Sequence, residues 1–307
     1  MDEILTPADL PLNHRSGFIA LVGRPNVGKS TLLNAYVGQK VAIVSKKPQT
    51  TRNRILGILT RPDSQIVFVD TPGIHRPSHK LGEYMVKAAR EAVPDADEVL
   101  LVVDVSVLPT PEDRLVAELL AQRCVSPVIM ALNKMDLLPP EGVGRNVEAY
   151  LALVKSQGWM LTSATLGGNL DKLLEMVTAH LPSGPRYYPE NQVTDLTERF
   201  VTSELVREQV LRFLHQEVPH AIAVVVEEFK QRPTGVTYID ATIFVEKESQ
   251  KAIVIGSAGS MLKRIGTAAR HEMEQALATK VYLELRVKVR SRWRRDDVAL
   301  RHVGYPS

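Results

Sequence analysis

Residues 23–30 have the residue types and spacing of a phosphate-binding loop. They read Gly-Arg-Pro-Asn-Val-Gly-Lys-Ser, which matches the pattern G-x-x-x-x-G-K-[ST] between a strand pattern and a helix pattern. Glycines allow backbone N–H groups to converge on phosphate oxygens at the positive end of the following helix. Lys29 would supply charge to the β- and γ-phosphates, and the Ser30 hydroxyl would ligate Mg²⁺. The predicted nucleotide contacts of this loop are Gly23, Arg24, Pro25, Asn26, Val27, Gly28, Lys29, Ser30 and Thr31.

The segment Asp70-Thr71-Pro72-Gly73 places a carboxylate at the end of a hydrophobic strand pattern. By itself such a segment is more often an ordinary turn. It follows a phosphate loop by about 40 residues, however, and there Asp70 can hold Mg²⁺ through a water molecule. The Gly73 N–H can meet the γ-phosphate. We therefore expect a nucleotide sensor with contacts from Asp70, Thr71, Pro72 and Gly73.

The segment Asn133-Lys134-Met135-Asp136 ends another strand pattern and predicts the base. The Asp136 carboxylate can accept from both the N1–H and the 2-amino group of guanine, whereas adenine has neither donor. A site built around such a donor can reject a base that lacks it by up to ~10⁴-fold. Asn133 would fasten the loop, Lys134 would pack along the base, and Ser163-Ala164 would add a backbone N–H for guanine O6. These residues predict binding of GTP and GDP rather than ATP.

These four segments, in this order and spacing, resemble the translation-factor-related class of P-loop GTPases. The resemblance implies that a threonine ligates Mg²⁺ from a mobile loop between the first helix and an antiparallel strand. Pro48-Gln49-Thr50-Thr51-Arg52 matches the P-x-x-T-R pattern of that loop, which assigns the ligand role to Thr51, with Thr50 as the alternative. The Mg²⁺ ligands implied in this way are Ser30, Thr51 and Asp70.

Hydrolysis of GTP needs positioned groups and positive charge more than covalent chemistry. Many relatives orient the attacking water with a glutamine directly after the glycine of D-x-x-G, but here that position is Ile74. In relatives with G-x-x-N-x-G-K-[ST], the asparagine resembles a K⁺ ligand, which makes Asn26 the candidate here; the alternative is an amide that only stabilises the loop. We expect slow intrinsic hydrolysis, accelerated by K⁺, with catalytic contributions from Lys29, Thr51, Gly73 and Asn26.

The elements that must position these residues alternate between strands and helices over the first part of the chain. This alternation predicts an α/β fold with a mostly parallel six-stranded sheet. The short turn at 61–64 joins two strands as a hairpin, so one strand should be antiparallel. The predicted strands are 17–22, 54–59, 66–70, 98–104, 128–133 and 158–162, and helix patterns include 30–37, 81–93 and 111–122.

A proline- and glycine-rich stretch around 181–189 predicts a boundary, after which the order of elements changes. There the patterns read helix (196–215), strand (221–229), strand (236–245), two helices around a glycine turn, and strand (280–289). The stretch V-I-G-x-x-G-x-x-[LI]-K-x-I-G, in which Gly256-Ser257-Ala258-Gly259 is the G-x-x-G, resembles the type II KH module, an α+β domain. That resemblance implies a loop that clamps single-stranded RNA, with Lys263 and Arg264 meeting the phosphates. The alternative is a helical hairpin with a glycine turn.

The basic excess of the chain lies in this second part. Residues 1–184 hold 19 Lys+Arg and 19 Asp+Glu, whereas residues 185–307 hold 19 against 16. Five cations, Arg286, Lys288, Arg290, Arg292 and Arg294, alternate along the last strand pattern and are expected to project from one face. They form either a solvated face or an RNA-binding surface, the latter represented by Arg290 and Arg292. For Trp293 a packing role is favoured over base stacking.

The order of motifs along nearly the whole chain resembles the Era family of bacterial GTPases. The resemblance implies assembly of the small (30S) ribosomal subunit, binding to the 3′ end of its rRNA, and some peripheral association with the cytoplasmic membrane; no DNA partner is expected. The single cysteine, Cys124, and the lack of an apolar signal core favour a cytoplasmic protein. The predicted divisions are an N-terminal tail (1–15), a GTPase domain (16–181), a linker (182–196), a KH domain (197–295) and a C-terminal tail (296–307).

Two other functions remain open from the residues alone. One is a GTPase that acts on transfer RNA or on another ribosomal step, which a KH domain neither requires nor forbids. The other is a nucleotide-gated RNA-binding module without catalysis, against which the intact set of Lys29, Ser30, Thr51 and Asp70 argues.

Overall fold

The computed structural model describes Pro11 and residues 13–305, which pack into two compact units. The first unit contains the described residues up to Ala42, then Thr51–Arg76 and Met85–Asp195. The second contains Ile43–Thr50, Pro77–Tyr84 and the described residues from Leu196 onward. Two short segments of the first half of the chain thus group with the second unit. The domain boundaries given above remain predictions.

A six-stranded sheet forms the centre of the first unit, in the order β2-β3-β1-β4-β5-β6. Only β2 runs antiparallel, along β3, and the other neighbouring strands are parallel. The predicted α/β class, with one antiparallel strand, is therefore confirmed. The strands are β1 (Arg15–Val22), β2 (Ile55–Thr60), β3 (Ser64–Asp70), β4 (Glu98–Asp104), β5 (Val128–Asn133) and β6 (Gly158–Leu161).

Helices cover this sheet because the central strands are apolar on both faces. Every residue of β3, β4 and β5 is buried, as is typical of parallel strands packed between helices. One face of the sheet contributes Val99, Leu101, Met130 and Leu132 to a core cluster. The helices from this part of the chain are α1 (Lys29–Val37), α2 (Lys80–Ala92), α3 (Pro111–Arg123), α4 (Val143–Leu151) and α5 (Leu170–His180).

The parallel arrangement brings the predicted nucleotide motifs to one edge. Strands β1, β3, β4 and β5 all run in the same direction, and the register pairs Leu21 with Asp70 and Asp104 with Asn133. The loops that follow these strands therefore emerge side by side at the carboxyl end of the sheet, which is where ligands bind in open α/β sheets.

The second unit has the predicted order helix, strand, strand, helix, helix, strand. Its sheet has the order β7-β8-β9, with β7 antiparallel and β9 parallel to β8. Apolar side chains of β7, β8 and β9 pack with α6 and α8 in one core that includes Ile239, Ile243, Ile265 and Met273. The elements are α6 (Glu198–Phe213), β7 (Ala223–Gln231), β8 (Val236–Val245), α7 (Glu248–Ile255), α8 (Ser260–Leu277) and β9 (Lys280–Val289).

One part of the prediction for the last strand is wrong. Strand β9 ends at Val289, so Arg292 and Arg294 do not continue its alternation. Arg292 instead has a positive φ of 53°, and Trp293 begins a short 3₁₀ turn in which its side chain is fully buried. Burial of the indole, which donates from Nε1 to the Ala221 carbonyl at 2.9 Å, turns the chain inward and confirms the packing role of Trp293.

Residues 296–305 follow this turn and are ordered around a short helix, α9 (Asp297–His302). The Asp296 side chain caps the helix by accepting from the Ala299 N–H at 2.7 Å. Tyr305 stacks on Trp293 with a ring separation of 6.1 Å. Among the described residues, no helix combines the length and apolarity that crossing a membrane requires.

Candidate functional site

The phosphate loop is shaped by a glycine that no other residue could replace without a clash. Gly28 caps the N-terminus of α1 with φ 105°, in the left-handed region. A Cβ atom at this position would lie 2.2 Å from Nδ2 of Asn133, which is itself buried and hydrogen-bonded. The glycine thus permits both the backbone turn and the close approach of the base loop.

Lys29 lies inside the loop rather than pointing into solvent. It is 6% exposed, and its ammonium donates to the carbonyls of Gly23 and Arg24, each at 3.0 Å. Burial lowers the pKa of Lys29 to about 8, although the nearby Asp70 opposes the shift. Phosphate oxygens beside this ammonium would stabilise its charged form.

The three predicted Mg²⁺ ligands converge. Ser30 Oγ lies 2.5 Å from Asp70 Oδ2 and 2.8 Å from Thr51 Oγ1, whereas the Thr50 hydroxyl donates to the Lys47 carbonyl at 2.7 Å. The geometry thus favours Thr51 over Thr50. Asp70 is fully buried, and its Oδ1 has no hydrogen-bond partner among the described residues.

This group of oxygen atoms fits a hard cation. Two hydroxyls and one carboxylate are donors that Mg²⁺ accepts while it keeps several water molecules, and the unpartnered buried Oδ1 of Asp70 is a polar atom that needs a partner. Burial raises the pKa of Asp70 to about 6, and Lys29 and the Ser30 hydroxyl oppose the shift. A cation at this position would favour the ionised carboxylate.

Gly73 packs directly against the phosphate loop. A Cβ atom there would lie 2.5 Å from the backbone nitrogen of Pro25, so only glycine allows this contact. The next residue, Ile74, is 4% exposed, belongs to the core, and donates its N–H to the Gly23 carbonyl at 3.2 Å. The side chain of Ile74 therefore stabilises the fold and does not orient water. Thr71 is buried, with its hydroxyl donating to the Leu21 carbonyl at 2.7 Å.

Asn133 joins three segments of the site. Its Nδ2 donates to the Val27 carbonyl at 2.8 Å, and its Oδ1 accepts from the Ala164 N–H at 2.9 Å. The Ser163 N–H also has a partner, because it donates to the Gly168 carbonyl at 3.1 Å. The backbone N–H groups of both Ser163 and Ala164 thus have partners inside the protein, and donation by one of them to guanine O6 remains a prediction. Asp136 is exposed and has no hydrogen bond to a described residue, so its carboxylate is available to a base.

Two acidic residues that pair with cations of the phosphate loop or the base loop were missing from the predicted site. Asp104 Oδ2 accepts from the Lys134 ammonium at 2.6 Å, and Asp113 Oδ2 accepts from Arg24 Nε at 3.0 Å. Asp104 ends an apolar strand at the same sheet edge as Asp70, which is the sequence signal that would have identified it.

The G-x-x-G segment forms a tight turn between α7 and α8. Gly256, Ala258 and Gly259 have positive φ values of 73°, 49° and 76°. A Cβ at Gly256 would lie 2.7 Å from Met261 Cβ, whereas one at Gly259 would meet no atom within 4 Å. Ser257–Gly259 form one 3₁₀ turn, and Gly259 caps the N-terminus of α8.

An open groove of about 390 Å³ follows this turn along one face of α8. Of the predicted RNA contacts, Gly259 and Lys263 line it, but Arg264 instead lies over the Phe213 ring at 4.2 Å. Residues that the prediction missed also line it; most recur on one helical face at the spacing that would have predicted them. These are Leu262, Gly266, Thr267, Arg270, Leu283 and Leu285.

The basic segment at the end of β9 does not line this groove. Groove residues Leu283 and Leu285 have odd numbers, and even-numbered side chains of the strand project from the other sheet face. Arg286 pairs with Asp240 at 2.5 Å and with Glu284 at 3.2 Å, and Arg294 pairs with Glu246 at 2.6 Å. Ion pairs therefore neutralise part of the positive charge for which an RNA-binding surface was one interpretation.

The two folds and their sites define a P-loop GTPase that carries a KH domain. The family model described as a 50S ribosome-binding GTPase matches residues 18–134, and the KH domain model matches residues 217–294. Curated relatives named GTPase Era align over nearly the whole chain. The protein from Geotalea uraniireducens is 47% identical over 95% of this chain and 98% of the relative. The protein from a Nostoc species is 49% identical over 96% of this chain and 91% of the relative.

Two solved structures are similar over the same extent. One is Aquifex aeolicus Era bound to GDP·AlF₄⁻, with a TM-score of 0.90 and 39% identity, covering 95% of this chain and all of that one. The other is Era with MgGDPNP and nucleotides 1506–1542 of 16S rRNA, with a TM-score of 0.91 and 38% identity, covering 96% of this chain and all of that one. The chain belongs to the Era family of GTPases, as the sequence motifs predicted.

Proposed function

We propose that this protein is a GTP-hydrolysing switch that binds the 3′ end of small-subunit rRNA during assembly of the 30S subunit. The observation that carries the proposal is the presence, in one chain, of a guanine-type nucleotide site and an open groove beside a G-x-x-G turn. The similar Era structure that holds both MgGDPNP and nucleotides of 16S rRNA supports this choice of RNA.

In the proposed reaction, the protein positions the γ-phosphate and stabilises its negative charge. Backbone N–H groups of the phosphate loop, other than at Pro25, would hold the phosphates at the N-terminus of α1, and Lys29 would balance the charge that develops on the β–γ bridge. Ser30, Thr51 and Asp70 would hold Mg²⁺, which neutralises phosphate charge when bound. Gly73 lies against the loop and would donate its N–H to the γ-phosphate, so that loss of this phosphate would release the segment that follows.

The roles proposed for the base loop follow from its hydrogen bonds. Asn133 ties the base loop to Val27 of the phosphate loop, which leaves Asp136 exposed for the N1–H and 2-amino groups of guanine. Lys134, with φ 66°, is held in the left-handed region, and its side chain would cover the base. Met135 lies between these two residues and packs against the core of the first unit.

Potassium is part of the proposal because the usual water-orienting glutamine is replaced by the buried Ile74. Asn26 lies in the phosphate loop with φ 63°, where its side chain would serve as a K⁺ ligand and the ion would add positive charge between the phosphates. GTPase rates in equal concentrations of KCl and NaCl test this. Faster hydrolysis in KCl, lost in Asn26→Ala, supports the role, whereas equal rates contradict it.

For the RNA site, we propose that single-stranded RNA passes over Gly256, Ser257, Ala258 and Gly259 and continues along the groove. Phosphates would approach the turn and the N-terminus of α8, while Lys263 and Arg270 provide charge and the leucines provide apolar contact with bases. Arg264, Arg290 and Arg292 would contact RNA only where the strand extends beyond the groove.

Fluorescence anisotropy with the full chain tests the choice of RNA. The probes are a single-stranded oligonucleotide of the 3′ end of 16S rRNA, a scrambled oligonucleotide of the same composition, and unmodified tRNA. Preference for the first probe, reduced in Lys263→Ala, is expected. Tighter binding of tRNA would instead support the alternative RNA substrate, and photocrosslinking to residues 256–259 would show whether the bound RNA occupies the turn.

The protein is further proposed to act in the cytoplasm, with peripheral contact to the inner face of the membrane. The resemblance to the Era family supports this location. Fractionation of cells that express the tagged chain is expected to place most of it in the cytosol, with a salt-removable portion in the membrane fraction. A fraction that resists high salt would contradict peripheral contact.

A further inference from the structure

The phosphate loop and the base loop share one buried carboxylate. Asp104, the last residue of β4, is 7% exposed and lies beside Asn133 in the sheet register. Its Oδ2 lies 2.6 Å from the Lys134 ammonium and 3.6 Å from the Arg24 guanidinium. One residue therefore pairs with a cation from each of the two loops that would hold opposite ends of a nucleotide.

Several contacts fix this carboxylate in place. Its Oδ1 accepts from the Ser106 hydroxyl at 2.5 Å, and its backbone carbonyl accepts from the Tyr150 hydroxyl at 3.0 Å. Burial alone would raise the pKa of Asp104, but hydrogen bonds from Lys134 and Ser106 outweigh it, so that the pKa lies below its ordinary value. The carboxylate is therefore ionised at neutral pH and rigidly held.

Arg24 has a second acidic partner that does not reach the base loop. Its Nε donates at 3.0 Å to Asp113 Oδ2, which also accepts from the Thr110 N–H at 2.9 Å in the capping box of α3. Asp113 anchors the arginine to α3, whereas Asp104 alone contacts both Arg24 and Lys134. The two carboxylates thus form a natural pair for comparison.

We propose that Asp104 is a positioning residue for guanine nucleotides. By holding the Lys134 ammonium, it fixes the methylene stem of that lysine as an apolar cover for the base, and by pairing with Arg24 it ties this cover to the phosphate loop. The side chain of Lys134 is 29% exposed although its ammonium is paired with Asp104, so a ligand can still contact the side chain. This inference rests on the proposed role of Lys134 at the base.

The test measures dissociation of fluorescent GDP from the full chain. Asp104→Asn keeps the size of the side chain and removes its charge, so that GDP dissociates about tenfold faster, since loss of a buried, charge-assisted contact mainly changes koff. At saturating GTP, kcat stays within about twofold while KM rises, because no contact to the γ-phosphate is lost. Asp104→Glu restores part of the slow dissociation.

A double-mutant cycle separates positioning from a general structural role. Lys134→Met keeps an apolar side chain and removes the ammonium. GDP should dissociate from the double variant Asp104→Asn/Lys134→Met no faster than from the single variant with the higher dissociation rate. Asp113→Asn, the matched control, shares Arg24 but not Lys134, so its effect should add to that of Lys134→Met. The ratio of GDP to IDP affinity should stay unchanged in Asp104→Asn, because IDP lacks only the 2-amino group read by Asp136.

Additive effects of Asp104→Asn and Lys134→Met, or a collapsed GDP to IDP ratio, would overturn the proposal. If Asp104→Asn does not fold, Lys134→Met alone tests the proposal. An unchanged GDP dissociation rate in that variant would exclude a role for the Lys134 side chain in covering the base. Failure of the wild-type chain to bind GDP would instead contradict the proposed function. The two failures are thus distinguishable.

Discussion

Two glycine turns in this molecule have the same backbone conformation, but one is tightly packed and the other is open. Gly28 and Gly259 each cap the N-terminus of a helix in the left-handed conformation, with φ 105° and φ 76°. Around Gly28 the space is filled, since a Cβ would lie 2.2 Å from the Asn133 amide, whereas a Cβ at Gly259 would meet nothing within 4 Å. The lysines that follow differ in the same way: Lys29 is buried and Lys263 is exposed.

The difference corresponds to the ligands that the two turns are suited to. A filled, hydrogen-bonded loop accepts one small ligand of fixed shape, so that small changes in either partner are costly. An open turn beside an exposed groove accepts a strand that continues in both directions and is held by many individually weak contacts. Substitutions should therefore have large, local effects at the nucleotide loop and small, additive effects at the RNA turn.

Exchange of the two lysines for alanine tests this contrast most strongly. Lys29→Ala should reduce kcat for GTP by about 10³-fold, because a preorganised charge at the transferring phosphoryl group is lost. In the absence of nucleotide, its RNA affinity should stay unchanged. Lys263→Ala should reverse the pattern, with a normal intrinsic GTPase rate and RNA binding whose salt dependence is shallower by about 0.7 in log–log slope. Comparable losses in both assays for either variant would contradict the separation.

The two capping glycines provide the next comparison. Gly28→Ala should weaken GDP binding by about 100-fold, because the new methyl group displaces the bonded Asn133 amide and the left-handed backbone is strained. Gly259→Ala adds only the backbone strain of about 1 kcal/mol, and RNA binding should weaken by no more than about fivefold. Calorimetry with GDP and anisotropy with RNA measure the two effects. A larger loss at Gly259 would mean that the turn encloses its ligand more tightly than the open structure indicates.

A pH series sharpens the contrast further. Burial raises the pKa of Asp70 to about 6, so that the carboxylate takes up a proton as the pH falls through that value and can no longer act as the proposed Mg²⁺ ligand. The Mg²⁺ concentration for half-maximal GTPase activity should be about fourfold higher at pH 5.5 than at pH 7.5. Asp70→Asn should need more Mg²⁺ at both pH values without this difference. The residues that line the groove beside Gly259 include no carboxylate or histidine, so affinity for RNA, which is proposed to bind there, serves as the internal control.

The smallest effect is expected at the basic segment after β9. Arg290→Glu and Arg292→Glu should flatten the salt dependence of RNA binding where the strand passes beyond the groove. Arg286→Ala is the matched control, because its guanidinium already pairs with Asp240 and Glu284 and should change the slope little. An unchanged slope in the first two variants would confine the RNA contact to the turn and the groove.

The sequence alone predicted those parts of the molecule in which short-range spacing sets the geometry. The loop from Gly23, the strand-terminal Asp70 and Asn133, and the turn at Gly256 were identified because glycines and strand ends specify backbone conformation locally. The choice between Thr50 and Thr51 rested on a family pattern, and the structure adds the physical reason, since only the Thr51 hydroxyl reaches Ser30.

Contacts between distant segments could not be predicted in this way. Arg264 packs on Phe213, which lies in another helix, and Asp104 meets Lys134 because β4 and β5 are neighbours in the sheet. Alternation along β9 predicted a longer basic face because it carries no information about where burial of Trp293 ends the strand. Sequence spacing identifies which groups are available, and packing determines which of them meet.

Base specificity distinguishes a guanine nucleotide site from any other nucleotide site. Asp136 is exposed, and its carboxylate is proposed to select guanine by accepting from N1–H and the 2-amino group. The wild-type chain should hydrolyse GTP and neither ATP nor XTP. Asp136→Asn should lose GTP hydrolysis by about 100-fold or more and gain XTP hydrolysis, because an amide can donate to the C2 carbonyl of xanthine. An unchanged preference for GTP in Asp136→Asn would contradict the assignment of the site.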